Sequence, residues 1–144
     1  MDRVRAAKKP VLTYATAYAD DGVFLASHAS EVWVNPQGGA FVAGPGGNRL
    51  YYAGLLEKLN VNARVYKVGT YKSAVEPFTE AGMSDPAREN AQALYGALWE
   101  EWQASVKKAR PAADLALVSG NPAAWVEAAE GDLATAALNA GLVD

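Results

Sequence analysis

The chain has 144 residues, a formal net charge of −3, 51% hydrophobic and 20% charged residues, no cysteine and a single histidine. That length suits one domain with a real core, and the missing cysteine excludes a disulfide framework, a thiol nucleophile and every cysteine-based zinc or iron–sulfur site. The lone His28 excludes multi-histidine metal sites, and the acidic balance argues against nucleic acid as the main ligand. Chemistry, if any, falls to Lys, Ser, Asp, Glu or Tyr.

No apolar run is long enough to span a bilayer, and MDRVRAAKKP lacks a signal peptide's apolar core, so a soluble chain is expected. About thirty alanines raise the helical prior without specifying a partner.

After Pro10, Val11 to Ala15 (VLTYA) predicts a short buried strand. Asp21 to Ala29 predicts a helix, with Phe24, Leu25 and His28 at helical spacing, and Glu31 to Val34 (EVWV) a second strand. Pro36 to Gly39 (PQGG) reads as a turn, Ala40 to Ala43 as another strand, and Gly44 to Gly47 (GPGG) as punctuation. Asn48 is a candidate N-cap for a helix from Arg49 to Leu59, with Tyr52, Leu55, Leu56 and Leu59 on one face and Asn60 as its stop. Asn62 to Val68 (NARVYKV) reads as a strand whose two faces are both mixed.

Thr70 to Phe78 is irregular and interrupted by Pro77. Asp85-Pro86 then opens the longest helix. Its stripe of Ala91, Leu94, Leu98, Trp102 and Val106 is widened by Tyr95 and Trp99. Lys107, Lys108 and Arg110 suit the negative end of its dipole, and Pro111 stops it. Residues 112–144 predict two or three short helices, broken at Gly120-Asn121-Pro122 and at Gly131. The order of elements predicts an α/β fold with crossovers, in which residues 10–83 form the α/β part and 84–144 the helical part of a single domain.

VGTYKSAVEPF, Val68 to Phe78, carries the most chemistry. A lysine after a strand and a glycine turn, with Tyr71 and Phe78 nearby, would have a lowered pKa if desolvated and would then suit a general base; the alternative is an ordinary solvated loop lysine. Adjacent side chains diverge, so Ser73 suits a local turn or cap hydrogen bond better than a dyad with Lys72. Glu76 is expected in a salt bridge or at the surface. GPGG lacks both the phosphate-loop Lys-Ser/Thr and the dinucleotide spacing, so a tight turn or a close backbone approach explains it better. His28 fits a satisfied, partly buried histidine. Asp20 and Asp21 read as a metal pair or as acidic residues at a helix N-terminus. Trp99, Trp102 and Tyr95 belong to a core or an interface.

YADDGVFLASHASEVWVNPQGG, LYYAGLLEKLNVNARVYKVGTYKSAVEPF and MSDPAREN with its Trp-bearing helix together resemble the signal peptide peptidase A (protease IV) family. The match is to the N-terminal half of its long, two-half form, and it is strongest over residues 10–110. The resemblance implies a ClpP/crotonase-like fold of repeated strand–helix turns, here partial and followed by a helical C-terminal region. It also implies a Ser/Lys peptidase with no cofactor or metal, in which Lys72 is the general base. The matching place for the serine is held by Asp20, and no Ser-Gly-Gly occurs in the chain, so the nucleophile is expected from a missing C-terminal half. Further implications are remnant signal peptides or other peptides as substrates and a homo-oligomer. The location implied is the periplasmic face of a bacterial inner membrane, through an anchor outside this chain. A fragment inactive by itself is the expectation; a non-catalytic module for subunit contacts is the alternative, and a crotonase-type acyl-CoA enzyme a distant third.

Overall fold

The computed structural model describes residues 1–144, with every side chain but that of residue 2. Two strands and eight helices follow in the order α1 (Asp2–Ala6), β1 (Leu12–Tyr18), α2 (Asp20–Ser27), β2 (Glu31–Ala40), α3 (Ala53–Lys58), α4 (Glu76–Thr79), α5 (Asp85–Ala109), α6 (Leu115–Gly120), α7 (Pro122–Glu127) and α8 (Leu133–Asn139). The chain is therefore mixed α/β. It divides into two compact units, residues 1–44 with 99–144, and residues 45–98.

In the first unit β1 and β2 pair in parallel, with α2 as the crossover a parallel pair requires. Thr13 and Ala15 of β1, with Val32 and Val34 of β2, are covered, whereas Leu12, Tyr14 and Trp33 on the alternate positions are exposed. PQGG does not separate two strands, as the turn reading held. The ladder breaks between Ala15 and Ala17, where β2 advances from Val34 to Gly39, and it then resumes with Tyr18 opposite Ala40. Pro36 has no N–H for the ladder, and the Asn35 side chain accepts from the Gln37 amide at 2.8 Å, so the intervening residues bulge and the strand continues. A Cβ on Gly38 would overlap the Thr16 carbonyl, and one on Gly39 would overlap the Leu133 side chain of α8. The two glycines are what let β2 re-enter the ladder beneath that helix.

The core of this unit is built mostly from small residues: Val23, Ala26, Val32, Ala40, Val42, Val106, Val118, Ala136 and Ala137 are buried, with Trp125, Tyr18, Leu115 and Leu142 as larger members. Trp125 donates its indole N–H to the Ala136 carbonyl at 3.1 Å, which satisfies the polar edge of an otherwise apolar side chain. The three short C-terminal helices break at Asn121-Pro122 and Gly131, as their sequence predicts. The side chains of Asp114, Asn121 and Asp132 cap them by accepting from Leu117, Ala124 and Ala134 amides at 2.9, 3.1 and 2.9 Å.

In the second unit α3 begins at Ala53, with Tyr52 in the cap position, so Asn48 does not cap it. Asn60 does stop it, with φ +52° and the Val61 amide returning to Leu56 at 2.9 Å. The expected apolar face exists but is not buried, since Leu55 and Leu59 are 54% and 62% exposed. Asn62–Val68 forms no strand. Tyr66 and Val68 stand 92% and 91% exposed, and a segment with two mixed faces has no apolar side to drive it onto a neighbour. Glu76 and Ala87 are the only buried residues of this unit among those described.

Candidate functional site

Lys72 lies in a run of two turns between Gly69 and α4. Its amide donates to the Gly69 carbonyl at 3.3 Å, and Gly69 has φ +104°, a conformation glycine adopts without strain. The Glu76 amide closes the second turn by donating to the Ser73 carbonyl at 3.1 Å. The side chain of Lys72 is exposed, at the lip of a shallow groove of about 270 Å³ lined by Tyr66, Lys67, Val68, Lys72, Ala74 and Val75. This chain does not enclose Lys72 in apolar surface as the desolvation reading required; enclosure would need atoms from elsewhere. Among the described residues no hydrogen bond joins Lys72 to Ser73, in keeping with the divergence of neighbouring side chains.

Glu76 departs from its expected surface position. It is fully buried, with Oε1 accepting from the Ser84 hydroxyl at 2.6 Å, Oε2 accepting from the Ser84 amide at 3.3 Å, and Lys67 Nζ 3.8 Å away. The salt bridge half of the expectation thus holds, although the bonds to Ser84 are shorter. The hydroxyl of Ser84 holds the carboxyl below the usual range; burial opposes this, and the Ser84 amide, Lys67 and Arg49 add to it. Ser84 also caps α5, its hydroxyl accepting from the Ala87 amide at 3.3 Å. Tyr71, one residue before Lys72, donates its hydroxyl to Glu89 Oε2 at 3.1 Å, and that bond with the Glu89 charge raises the phenol's pKa. Charge alone placed Glu76 outside. The available signal was a serine directly before Asp85-Pro86, a helix cap that could accept a partner.

The other candidates lie in the first unit. Asp20 stands at the start of α2, and its carboxylate accepts from the Ala43 and Gly44 amides at 3.3 and 2.9 Å, while its carbonyl accepts from the Trp102 indole at 2.9 Å. Asp21 accepts from the Gly22 amide at 2.8 Å, and both acidic residues lie in the first turn of α2, although the Asp20 carboxylate is taken up by the loop after β2. Gly44 has φ +78°, which makes the opening of GPGG a turn requiring glycine. His28 is half-buried with Nε2 3.2 Å from the Ser105 hydroxyl, the satisfied histidine its setting predicts. Trp99 and Trp102 stack at 4.9 Å against the core, whereas Tyr95 is exposed. No helix is long and apolar enough to cross a membrane among the described residues.

Residues 3–144 match the sequence model of peptidase family S49. Two similar proteins are both named Protease 4. That of Salmonella typhi is 40% identical over 138 residues, covering 94% of this chain and 22% of its own length. That of Haemophilus influenzae is 40% identical over 104 residues, covering 72% of this chain and 17% of its own length. The chain therefore spans about a fifth of the relatives it matches.

Proposed function

The chain belongs to peptidase family S49, and from that premise we propose that it supplies the general-base lysine, Lys72, of a Ser/Lys peptidase whose serine comes from another part of the enzyme. The observation that carries this reading is the intact VGTYKSAVEPF segment, which sets Lys72 in a glycine-hinged turn at the lip of an open groove. A serine hydroxyl is a weak nucleophile until a base within hydrogen-bond reach takes its proton, and a neutral lysine amine can do so without cysteine or a second histidine. Asp20, in the place expected for the serine, is a carboxylate engaged by two backbone amides and does not replace it.

On this reading the partial strand–helix fold is one piece of a ClpP/crotonase-like architecture, the substrates are cleaved signal peptides or other peptides, and the enzyme is a homo-oligomer. It works at the periplasmic face of a bacterial inner membrane, held by an anchor outside these residues. Co-expression with the serine-bearing half of an S49 peptidase tests it. Peptide hydrolysis should appear only when this chain and the serine-bearing half are both present, and Lys72→Ala should remove it by about a hundredfold or more while leaving the circular dichroism spectrum unchanged. Retained hydrolysis in Lys72→Ala, or serine-directed covalent labelling of the isolated chain, would overturn the assignment. A second reading, a non-catalytic module for subunit contacts, is favoured by the engagement of Asp20; its signature would be assembly without Lys72-dependent turnover.

A further inference from the structure

Resting on the reading of Lys72 as base, we infer that Tyr71, Glu76, Ser84 and Glu89 are positioning residues that clamp the Lys72 turn to the head of α5. The two most distinctive stretches of the sequence meet here. VGTYKSAVEPF contributes Tyr71 and Glu76, and MSDPAREN contributes Ser84 and Glu89.

The turn needs such support. Its own backbone bonds, Lys72 to Gly69, Ser73 to Tyr71 and Glu76 to Ser73, are three local contacts at 3.3, 3.1 and 3.1 Å in a largely exposed segment, and contacts of that kind open readily. One tether lies on each side of Lys72. Before it, the Tyr71 hydroxyl reaches Glu89 at 3.1 Å on the surface. After it, the buried Glu76 carboxylate takes both the hydroxyl and the amide of Ser84. A carboxylate is costly to bury unless its bonds fall in place, so this contact tolerates little displacement and acts as a registration pin. Ser84 passes that registration to the helix through its cap on Ala87. Lys67 lies on the same groove as Lys72, and its contact with Glu76 ties the groove wall to the pin. A base must stand within hydrogen-bond reach of the proton it takes, and a misplacement of about 1 Å can cost on the order of a hundredfold in rate.

The test is steady-state kinetics of the peptidase reconstituted from this chain and the serine-bearing half, with the folded fraction measured for each variant. Ser84→Ala and Glu76→Gln should lower kcat per folded enzyme by about ten- to a hundredfold with KM changed less than about twofold. Ser84→Thr, which keeps the hydroxyl, should restore kcat, and the exposed Tyr71→Phe should cost only about two- to fivefold. In the isolated chain, Ser84→Ala should speed hydrogen exchange at the Lys72 and Glu76 amides, a readout independent of turnover. Losses that merely follow the folded fraction, or unchanged exchange at those amides, overturn the clamp. Its failure is distinct from that of the base assignment: an inactive Lys72→Ala beside a fully active Ser84→Ala removes the clamp alone, whereas an active Lys72→Ala removes the base.

Discussion

The two units solve the problem of holding a short chain in place by different means. The first buries a set of alanines and valines with one tryptophan, and directs its polar groups onto backbone amides and carbonyls or each other. The second has almost no apolar interior, and its most enclosed large side chain is a carboxylate. Burying apolar surface is non-directional and tolerates small shifts, whereas a buried carboxylate is stable only in one bonding arrangement. The same helix records the contrast. Toward the C-terminus of α5, Val106 is fully buried and Trp99 and Trp102 pack on the core, while Leu94 and Leu98, earlier on the same stripe, are 54% and 55% exposed. A region fixed by specific bonds holds its groups in one arrangement, and a region fixed by packing tolerates small shifts.

The largest effect expected from breaking this contrast is at Trp125. Trp125→Ala opens a cavity in the core of the first unit and removes one of the two donors to the Ala136 carbonyl, the Ala140 amide remaining, at a cost of about 3–5 kcal/mol. Denaturant unfolding should show a much lower midpoint. A change below about 1 kcal/mol would mean that this unit is not held by its packed core.

Acid should separate the units next. Glu76 is held below the usual carboxylate range, chiefly by the Ser84 hydroxyl, so the folded state binds its proton more weakly than the unfolded state. Its stabilising contribution is therefore complete above that range and is lost as the pH falls through the lowered value. Asp132, whose shift comes first from the Thr135 amide, and Asp144, whose shift comes first from the Arg110 side chain, have the same sign in the first unit. That unit keeps its apolar core when they are neutralised. Residue-resolved hydrogen exchange between about pH 6 and pH 3 should show residues 45–98 losing protection first. Simultaneous loss in both units would erase the distinction.

How far the sequence reveals this depends on the kind of signal. The stripe of α5, the breaks between the short C-terminal helices and the Asn60 stop are readable because periodicity, helix breakers and helix stops are local. The continuity of β2 is not, because PQGG looks like a turn until Thr16 and Leu133 show why two glycines are needed within the strand. Asn62–Val68 has strand composition but no dominant face, and composition cannot supply a pairing partner. At the site, Lys72 stands out by its neighbours in sequence. Glu76 does not, because a charged residue is read as exposed until its partner, Ser84, eight positions away, is known to face it.

The smallest expected effect sharpens what polar contacts do inside the packed unit. Arg110 forks onto Asp144 with bonds of 3.1 and 2.7 Å, and its Nε donates to the Gly141 carbonyl at 2.9 Å. Asp144 in turn accepts from the Val32 amide at 2.9 Å and donates its own amide to the Val32 carbonyl at 2.8 Å, joining the end of the helical segment to β2. The side chain of Asp144 is 44% exposed, so water screens the pair and much of the charge attraction is offset by solvation. Arg110→Ala should therefore cost only about 1–2 kcal/mol, mostly from the less exposed arginine and its bond to Gly141. The difference from wild type should shrink as the pH falls below the lowered Asp144 value, because the protonated carboxyl no longer binds the guanidinium as an ion. If the cost instead equalled that of Trp125→Ala and persisted in acid, the first unit too would depend on directed polar contacts, and the division between a packed unit and a pinned one would fail.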